Sequence, residues 1–144
     1  MMTSGARTVT AAELVRSVKM RNRSAYWINA RAGDIYTDNS SQIGIDQISY
    51  LPKSASPSNL SQFDLRISTY ANAATYDAQL HPLAGIDNIT VTTANGVNIE
   101  YNKASLDHAY VTFAKKPEIV IVDYPTLQSI STLINDAKRL VLVN

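Results

Sequence analysis

The chain has 144 residues, a length that fits one domain, and 17% of its residues are charged, which is below the usual quarter. It contains no cysteine, which excludes disulfides and thiolate metal sites. No apolar run approaches the roughly 20 residues of a membrane-spanning helix, so we expect no membrane partner. Residues 1–15 also lack the apolar segment of a secretion signal, and we expect an unexported chain.

The N-terminal part is predicted to be an arm followed by a helix. We predict a flexible arm over residues 1–8 and a single domain over residues 9–144. Thr10 followed three residues later by Glu13 is a capping-box pattern, and the apolar stripe behind it extends a helix to about Arg21.

Basic residues are concentrated at the N-terminal end, although the net charge is only +1. Through position 31 there are six basic residues and one acidic residue, whereas the remainder has seven basic and eleven acidic residues. This asymmetry indicates contact with a protein partner or with nucleic acid. The predicted contact residues are the six cations and two nearby aromatic residues that could stack on bases: Arg7, Arg16, Lys19, Arg21, Arg23, Arg31, Tyr26 and Trp27.

The middle of the chain has the alternating pattern typical of strands. The only tryptophan, Trp27, is expected to lie in the core. The predicted elements are, in order, a strand at 26–28, a turn at 31–34, a returning strand at 35–37, a strand at 43–51, an exposed Ser- and Pro-rich loop at 52–61, a half-buried strand at 63–70, and one or two helical turns with a loop at 71–87.

A hairpin follows, and burial predicts its register. A two-residue turn at Asn95-Gly96 would place the apolar residues of the two strands on opposite faces. A three-residue loop that includes Ala94 pairs Val91 with Ile99 instead, and all the apolar side chains then share one face. We therefore predict the longer loop, with Gly96 left-handed at a bulge.

The C-terminal segment has the most specific pattern in the chain. An unbroken run of β-branched residues at 119–122 predicts a strand buried on both faces. A helical stripe from Leu127 to Ala137 follows, with Thr126 as the predicted cap, and residues 140–143 predict a second short strand. The length of the connection predicts a crossover that returns this strand parallel to the first.

These elements together predict an α+β fold. Turns at 103–105 and 115–117 connect the hairpin to a strand at 108–114 and then to the buried run, so residues 88–123 form a four-stranded meander. The prediction is a mainly antiparallel sheet with an N-terminal helix and a C-terminal strand–helix–strand unit.

The sequence has few candidate catalytic, cofactor-binding or metal-ligating residues. His81 and His108 have no metal-ligand spacing, and no P-loop, dinucleotide or serine-hydrolase motif occurs, so we predict no cofactor, no metal and no catalytic residue. Asp123 ends the buried strand before a helix, where α/β enzymes place carboxylates, but capping the helix or fixing the turn is its favoured role. No convergent partner for Asp123 can be named. The adjacency of Asp107 and His108 is similarly uninformative, because neighbours in a strand point to opposite faces.

Low charge, many neutral polar residues and eight tyrosines suit broad protein–protein contacts. This composition resembles that of virus and phage particle proteins. We expect a non-enzymatic structural protein of the virion (a decoration, connector or tail subunit) that acts as a homo-oligomer or in a larger assembly through residues 1–23 and the 52–61 loop. The alternatives are a nucleic-acid-binding module that uses the basic N-terminal segment, a small enzyme centred on Asp123, and a cytoplasmic rather than virion location.

Overall fold

Two helices and ten strands make up the part of the chain that the computed structural model describes, residues 7–21, 24–30, 35–39, 44–51, 63–72 and 88–143. The helices are α1 (Ala11–Arg21) and α2 (Ile130–Lys138). Neither of these two helices is long and apolar enough to cross a membrane. The strands are β1 (Arg7–Val9), β2 (Tyr26–Trp27), β3 (Ile35–Asn39), β4 (Ile45–Leu51), β5 (Leu65–Tyr70), β6 (Asn88–Thr92), β7 (Val97–Asn102), β8 (Ser105–Phe113), β9 (Ile119–Asp123) and β10 (Val141–Leu142).

Eight of these strands form one antiparallel sheet in the order β1-β3-β4-β5-β9-β8-β7-β6. β2 and β10 pair as a separate two-stranded sheet. α1 packs on β1 and β3, and α2 packs on β7, β8 and β9. The predicted α+β fold is confirmed, with a helix near each end and the meander β6–β9 over residues 88–123.

β9 lies in the middle of the sheet, between β5 and β8, where both of its faces can be covered. Val120 and Val122 are fully buried in the main core. Ile121 points to the opposite side, where it is also buried and packs against Tyr70 of β5. The predicted strand buried on both faces is confirmed.

α1 begins with the predicted capping box. The Glu13 carboxylate accepts a hydrogen bond from Thr10 N at 2.9 Å, and the Thr10 hydroxyl accepts one from Glu13 N at 3.2 Å. Leu14 and Val18, one turn apart, are buried in the main core. The helix is therefore part of the domain core, and not a separable docking segment.

β1 occupies the end of the predicted arm. Arg7 and Thr8 pair with Asp38 and Thr37 of β3, while residues 1–6 lie outside the described residues. Deleting residues 1–23 would remove an edge strand and a core helix, so we expect this deletion to destabilise the fold as well as any assembly.

The β6–β7 hairpin has the predicted register. Val91 lies opposite Ile99, and Thr93 N donates to Val97 O at 2.9 Å, which closes a three-residue loop. Gly96 has a φ of +85°, in the left-handed region that glycine adopts at low cost. Burial of one shared apolar face thus decided the loop length.

A Gly96→Ala variant is expected to lower the free energy of unfolding by about 1–2 kcal/mol, because a side chain at this positive φ meets the following carbonyl. The added Cβ would also lie 2.9 Å from the Ala114 Cβ. Urea denaturation measures the loss. In an Ala114→Gly background the contact disappears and only the φ cost remains, so the loss should be smaller there; an unchanged stability in both backgrounds would contradict the left-handed assignment.

α2 begins later than its stripe predicts. Ser129, and not Thr126, caps it, since the Ser129 hydroxyl accepts a hydrogen bond from Thr132 N at 3.1 Å. Leu127 precedes the helix and is 70% exposed. The predicted stripe is buried only in its second half, at Leu133 and Ala137.

The predicted parallel crossover is wrong. β10 pairs antiparallel with β2, with Val141 opposite Trp27. Both sides of β9 are already taken by β5 and β8, so the last strand cannot pair with it. Val143 N extends the β2 contact by donating to Ala25 O at 2.9 Å.

The predicted strand–turn–strand near Trp27 exists as two strands that do not pair with each other. β2 belongs to the small sheet and β3 to the large one. Asn29, at a φ of 70°, follows β2, and the Tyr50 hydroxyl holds this bend by accepting from Ile28 N and donating to Asn29 O. The predicted turn at 31–34 lies outside the described residues.

β5 is more buried than the predicted half-buried strand. Ser68 and Tyr70 are 2% and 8% exposed on the side that alternation assigns to solvent. The central position of β5 in the sheet, beside β9, accounts for this burial. The predicted loop at 52–61 and residues 73–87 of the predicted helical turns lie outside the described residues.

Candidate polar site on the second face of the sheet

The large sheet has two faces of different character. One, here termed the helix face, carries α1, α2 and the main core. Side chains alternate along a strand, so the residues between core positions point to the opposite side, here termed the second face. The second face carries Gln47 and Ser49 of β4, Arg66, Ser68 and Tyr70 of β5, Ile121 and Asp123 of β9, and His108 and Tyr110 of β8.

Asp123 lies between a cation and an imidazole on this face. The register places it directly opposite Arg66 on one side and His108 on the other. Opposite residues in an antiparallel pair have Cβ atoms about 4.5–5.5 Å apart, so these side chains interact. Arg66 Nε also donates to Ser49 Oγ at 3.2 Å. The four residues Ser49, Arg66, Asp123 and His108 form a polar row across four strands, here termed the Asp123 row.

His108 is oriented by its neighbour in sequence. Its Nδ1 lies 2.7 Å from Asp107 Oδ1, although alternation predicts opposite directions for the two side chains. The β7–β8 register shifts between Glu100 and Asn102, and residues 105–108 are all half-buried instead of alternating. This irregularity lets Asp107 reach the imidazole, so the sequence-based exclusion of this pair is wrong.

An open pocket of about 380 Å³ lies over part of the Asp123 row. Its polar wall includes a hydrogen bond from Gln47 Nε2 to Ser68 Oγ at 3.1 Å. Its aromatic wall includes Tyr110, whose ring meets the His108 ring edge-to-face with centroids 5.4 Å apart. The complete lining is Gln47, Ser68, Tyr70, His108, Tyr110, Ile121 and Asp123.

Burial governs the electrostatics of this pocket. It raises the pKa of Asp123, and the nearby His108 and Arg66 only partly offset this rise. Burial also lowers the pKa of Arg66, which Asp123 partly restores. Burial raises the pKa of Tyr70, and the charge of Asp123 raises it further. Ionisation of the Asp123 carboxylate therefore lowers the stability of the folded chain.

The raised pKa of Asp123 predicts a pH-dependent stability. Because the folded chain holds this proton more tightly than the unfolded chain, stability falls as pH rises from the ordinary value of 3.8 through the raised pKa. An Asp123→Asn variant lacks this titration. Relative to that variant, the natural chain should gain free energy of unfolding as pH is lowered from 7 towards 4, as measured by urea denaturation at each pH.

The control for this experiment removes the neighbouring imidazole. His108→Asn, combined with each Asp123 form, eliminates a charge that couples to the carboxylate. The pH-dependent difference should persist in this background, since burial is the largest cause of the shift. A difference that reverses its direction would contradict the burial of Asp123.

The Asp123 row could bind a polar ligand and move a proton. A carboxylate-oriented imidazole beside a second carboxylate is an acid–base arrangement. The Ser68 hydroxyl in the pocket accepts a hydrogen bond from Gln47 Nε2. Among the described residues, no group of three or more His, Cys, Asp or Glu side chains could hold a metal ion.

The predicted basic contact residues lie apart from this site, on the N-terminal elements. Arg16 and Lys19 are exposed on α1, and Arg7 lies in β1. Arg21 forms an ion pair with Asp46, its Nε 3.0 Å from the carboxylate. Arg23, like Arg31 and His81, lies outside the described residues.

The two predicted aromatic contact residues are buried. Tyr26 is 3% exposed and stacks on Phe113 with ring centroids 4.7 Å apart. Trp27 is 5% exposed and meets Tyr36 edge-on, which confirms its expected place in the core. Rings packed in this way cannot stack on nucleic-acid bases unless the core opens.

Sequence reasoning missed the partners of Asp123. The alternation at 63–70 places Arg66 and Ser68 on one side of their strand, but only the pairing of β5 with β9 brings Arg66 to Asp123.

No protein-family model, curated protein or solved structure matches the chain.

Proposed function

We propose that this protein is a structural subunit of a virus or phage particle, such as a decoration, connector or tail component. It acts through protein–protein contacts, as a homo-oligomer or within a larger assembly, and performs no catalysis. Its low charge and its abundance of neutral polar and tyrosine side chains support this role.

The observation that carries the proposal is an apolar cluster on the second face. Tyr70 and Ile121 are its buried centre, and Ile45, Tyr110 and Ile119 pack around them half-buried. The described helices lie on the opposite face of the sheet. An antiparallel sheet with one face in water usually carries polar residues there, so a partly covered apolar and aromatic cluster suits contact with another chain.

The solution mass tests this function. Light scattering at two protein concentrations should give a mass above the 15.8 kDa of one chain that increases with concentration. Nuclease treatment should leave that mass unchanged. A strict monomer at both concentrations would contradict self-association.

The nucleic-acid alternative depends on the exposed cations of α1. Binding through Arg16 and Lys19 should weaken as salt rises, because phosphate contacts release counterions. An Arg16→Gln/Lys19→Gln variant should lose that binding, whereas a Lys115→Gln/Lys116→Gln variant removes the same charge from an exposed turn and should retain it. Loss of mass on nuclease treatment would favour this alternative over assembly.

The enzyme alternative is favoured by one observation, the placement of Arg66 and His108 on either side of Asp123. Chromogenic esters, phosphates and glycosides can be assayed with the natural chain and with Asp123→Asn. The assembly function predicts no turnover by either protein. Turnover by the natural chain that the variant lacks would establish the enzyme instead.

A further inference from the structure

β6 is the last strand at one end of the eight-stranded sheet. Among the described residues it pairs with β7 alone, so one side of its backbone faces away from the sheet. The bond from Thr93 N to Val97 O identifies the hydrogen-bonded pairs of the hairpin. Inward and outward backbone groups alternate along an antiparallel strand, so Thr90 and Thr92 direct their N–H and C=O groups outward.

The side chains of β6 leave this edge unshielded. Its sequence, Asn-Ile-Thr-Val-Thr, has no charged residue and no proline, the features that commonly protect an edge strand. Thr90 and Thr92 are exposed, and Ile89 and Val91 are only half-buried at the margin of the main core. Such a strand is a template for the addition of another strand.

We propose that β6 pairs with β6 of a second copy of this chain, antiparallel about a twofold axis, so that two eight-stranded sheets become one. This inference rests on the assembly function proposed above and adds a contact at the sheet edge, separate from the apolar cluster of the second face. In the register that places Thr90 opposite Thr90 of the second copy, every outward N–H and C=O group of Thr90 and Thr92 has a hydrogen-bond partner in the other strand. Ile89 of one copy then lies beside Val91 of the other, which covers both half-buried side chains.

The side chains of β6 suit pairing with the same strand of a second copy. A twofold contact places each residue opposite its own equivalent or near it, so any charge on the strand would face a like charge. Like charges directly opposite destabilise a strand pair, whereas threonine pairs stabilise it. β6 has no charged residue to repel its copy. Among the β6 residues whose side chains the structure describes, the two exposed ones are the threonines Thr90 and Thr92.

The first test replaces Thr90 by proline. Thr90→Pro removes an outward N–H and leaves the inward bonds of Val91 to β7, so the folded monomer should persist. Analytical ultracentrifugation of the full chain should show a dissociation constant at least about tenfold higher than that of the natural chain. Thermal unfolding at low concentration verifies that the variant is folded.

The second test uses charge and has a matched control. Thr90→Lys alone and Thr90→Asp alone should each weaken the dimer about tenfold, and an equimolar mixture of the two should restore it. Thr112→Lys adds the same charge to the same face on an interior strand and should leave the dimer unchanged.

The outcomes separate this inference from the function on which it rests. An oligomer that survives Thr90→Pro and both charge variants would overturn pairing through β6 while leaving the assembly function intact. A natural chain that stays monomeric up to about 1 mM would overturn pairing through β6 and the homo-oligomeric form of the assembly function, because strand pairing weaker than this gives no useful self-contact. Assembly with other chains would then be the only form of the proposed function that remains.

Discussion

A Leu133→Ala variant is expected to lose about 2–5 kcal/mol of unfolding free energy, because truncation of a buried leucine removes apolar contacts and leaves a cavity. Leu133 is fully buried and is, with Ala137, one of only two buried residues of α2 among those described. α2 covers β7, β8 and β9, so the loss loosens the helix over the meander. Urea denaturation monitored by circular dichroism measures the change.

Ile130→Ala is the matched control for this variant. Ile130 lies in the same helix, but it is 39% exposed, so its truncation removes less buried surface and should cost well under half as much. Equal losses at the two positions would contradict the orientation of α2 on the sheet.

An Arg21→Met variant should lose about 3 kcal/mol, because it removes the ion pair that Arg21 makes with the buried Asp46 carboxylate. Asp46 is 3% exposed and lies on β4, with Arg21 Nε 3.0 Å away across the α1 contact. Arg21 itself keeps 19% exposure, which places the expected loss at the lower end of the range for buried pairs. The measurement is the free energy of unfolding in urea.

A double variant isolates the cause of that loss. Arg21→Met/Asp46→Asn removes both charges, and it should be more stable than Arg21→Met alone because the buried Asp46 charge is removed together with the arginine that faces it. A double variant less stable than either single variant would contradict a buried ion pair. The result also bears on nucleic-acid binding, since an arginine held by Asp46 is not free to contact phosphate without breaking this pair.

The local sequence pattern predicted those parts of the fold that depend on a single physical effect. Burial of a shared face was sufficient to choose the hairpin loop and the left-handed Gly96. The Thr10–Glu13 capping box needs only four consecutive residues, so α1 was predicted at its correct bounds. A run of β-branched residues predicted that β9 is buried on both faces.

Pairing between distant segments was not predictable in this way. The last strand was expected to lie parallel to β9, but β5 and β8 occupy both of its sides and β10 pairs with β2. The polar site depended on the same information, because Asp123 meets Arg66 and His108 only through two strand registers. The sequence of one strand does not show which strand it pairs with or in which register.

The amino-acid sequence by itself determined the fold class, the strand buried on both faces, the capped N-terminal helix and the hairpin, since each follows from periodicity or from contacts between near neighbours in the chain. Only the tertiary structure decided which residues lie beside Asp123, the burial of Tyr26, and the position of β6 at the edge of the sheet. Those features depend on which strands lie side by side, and strand order is set by the packing of the whole sheet.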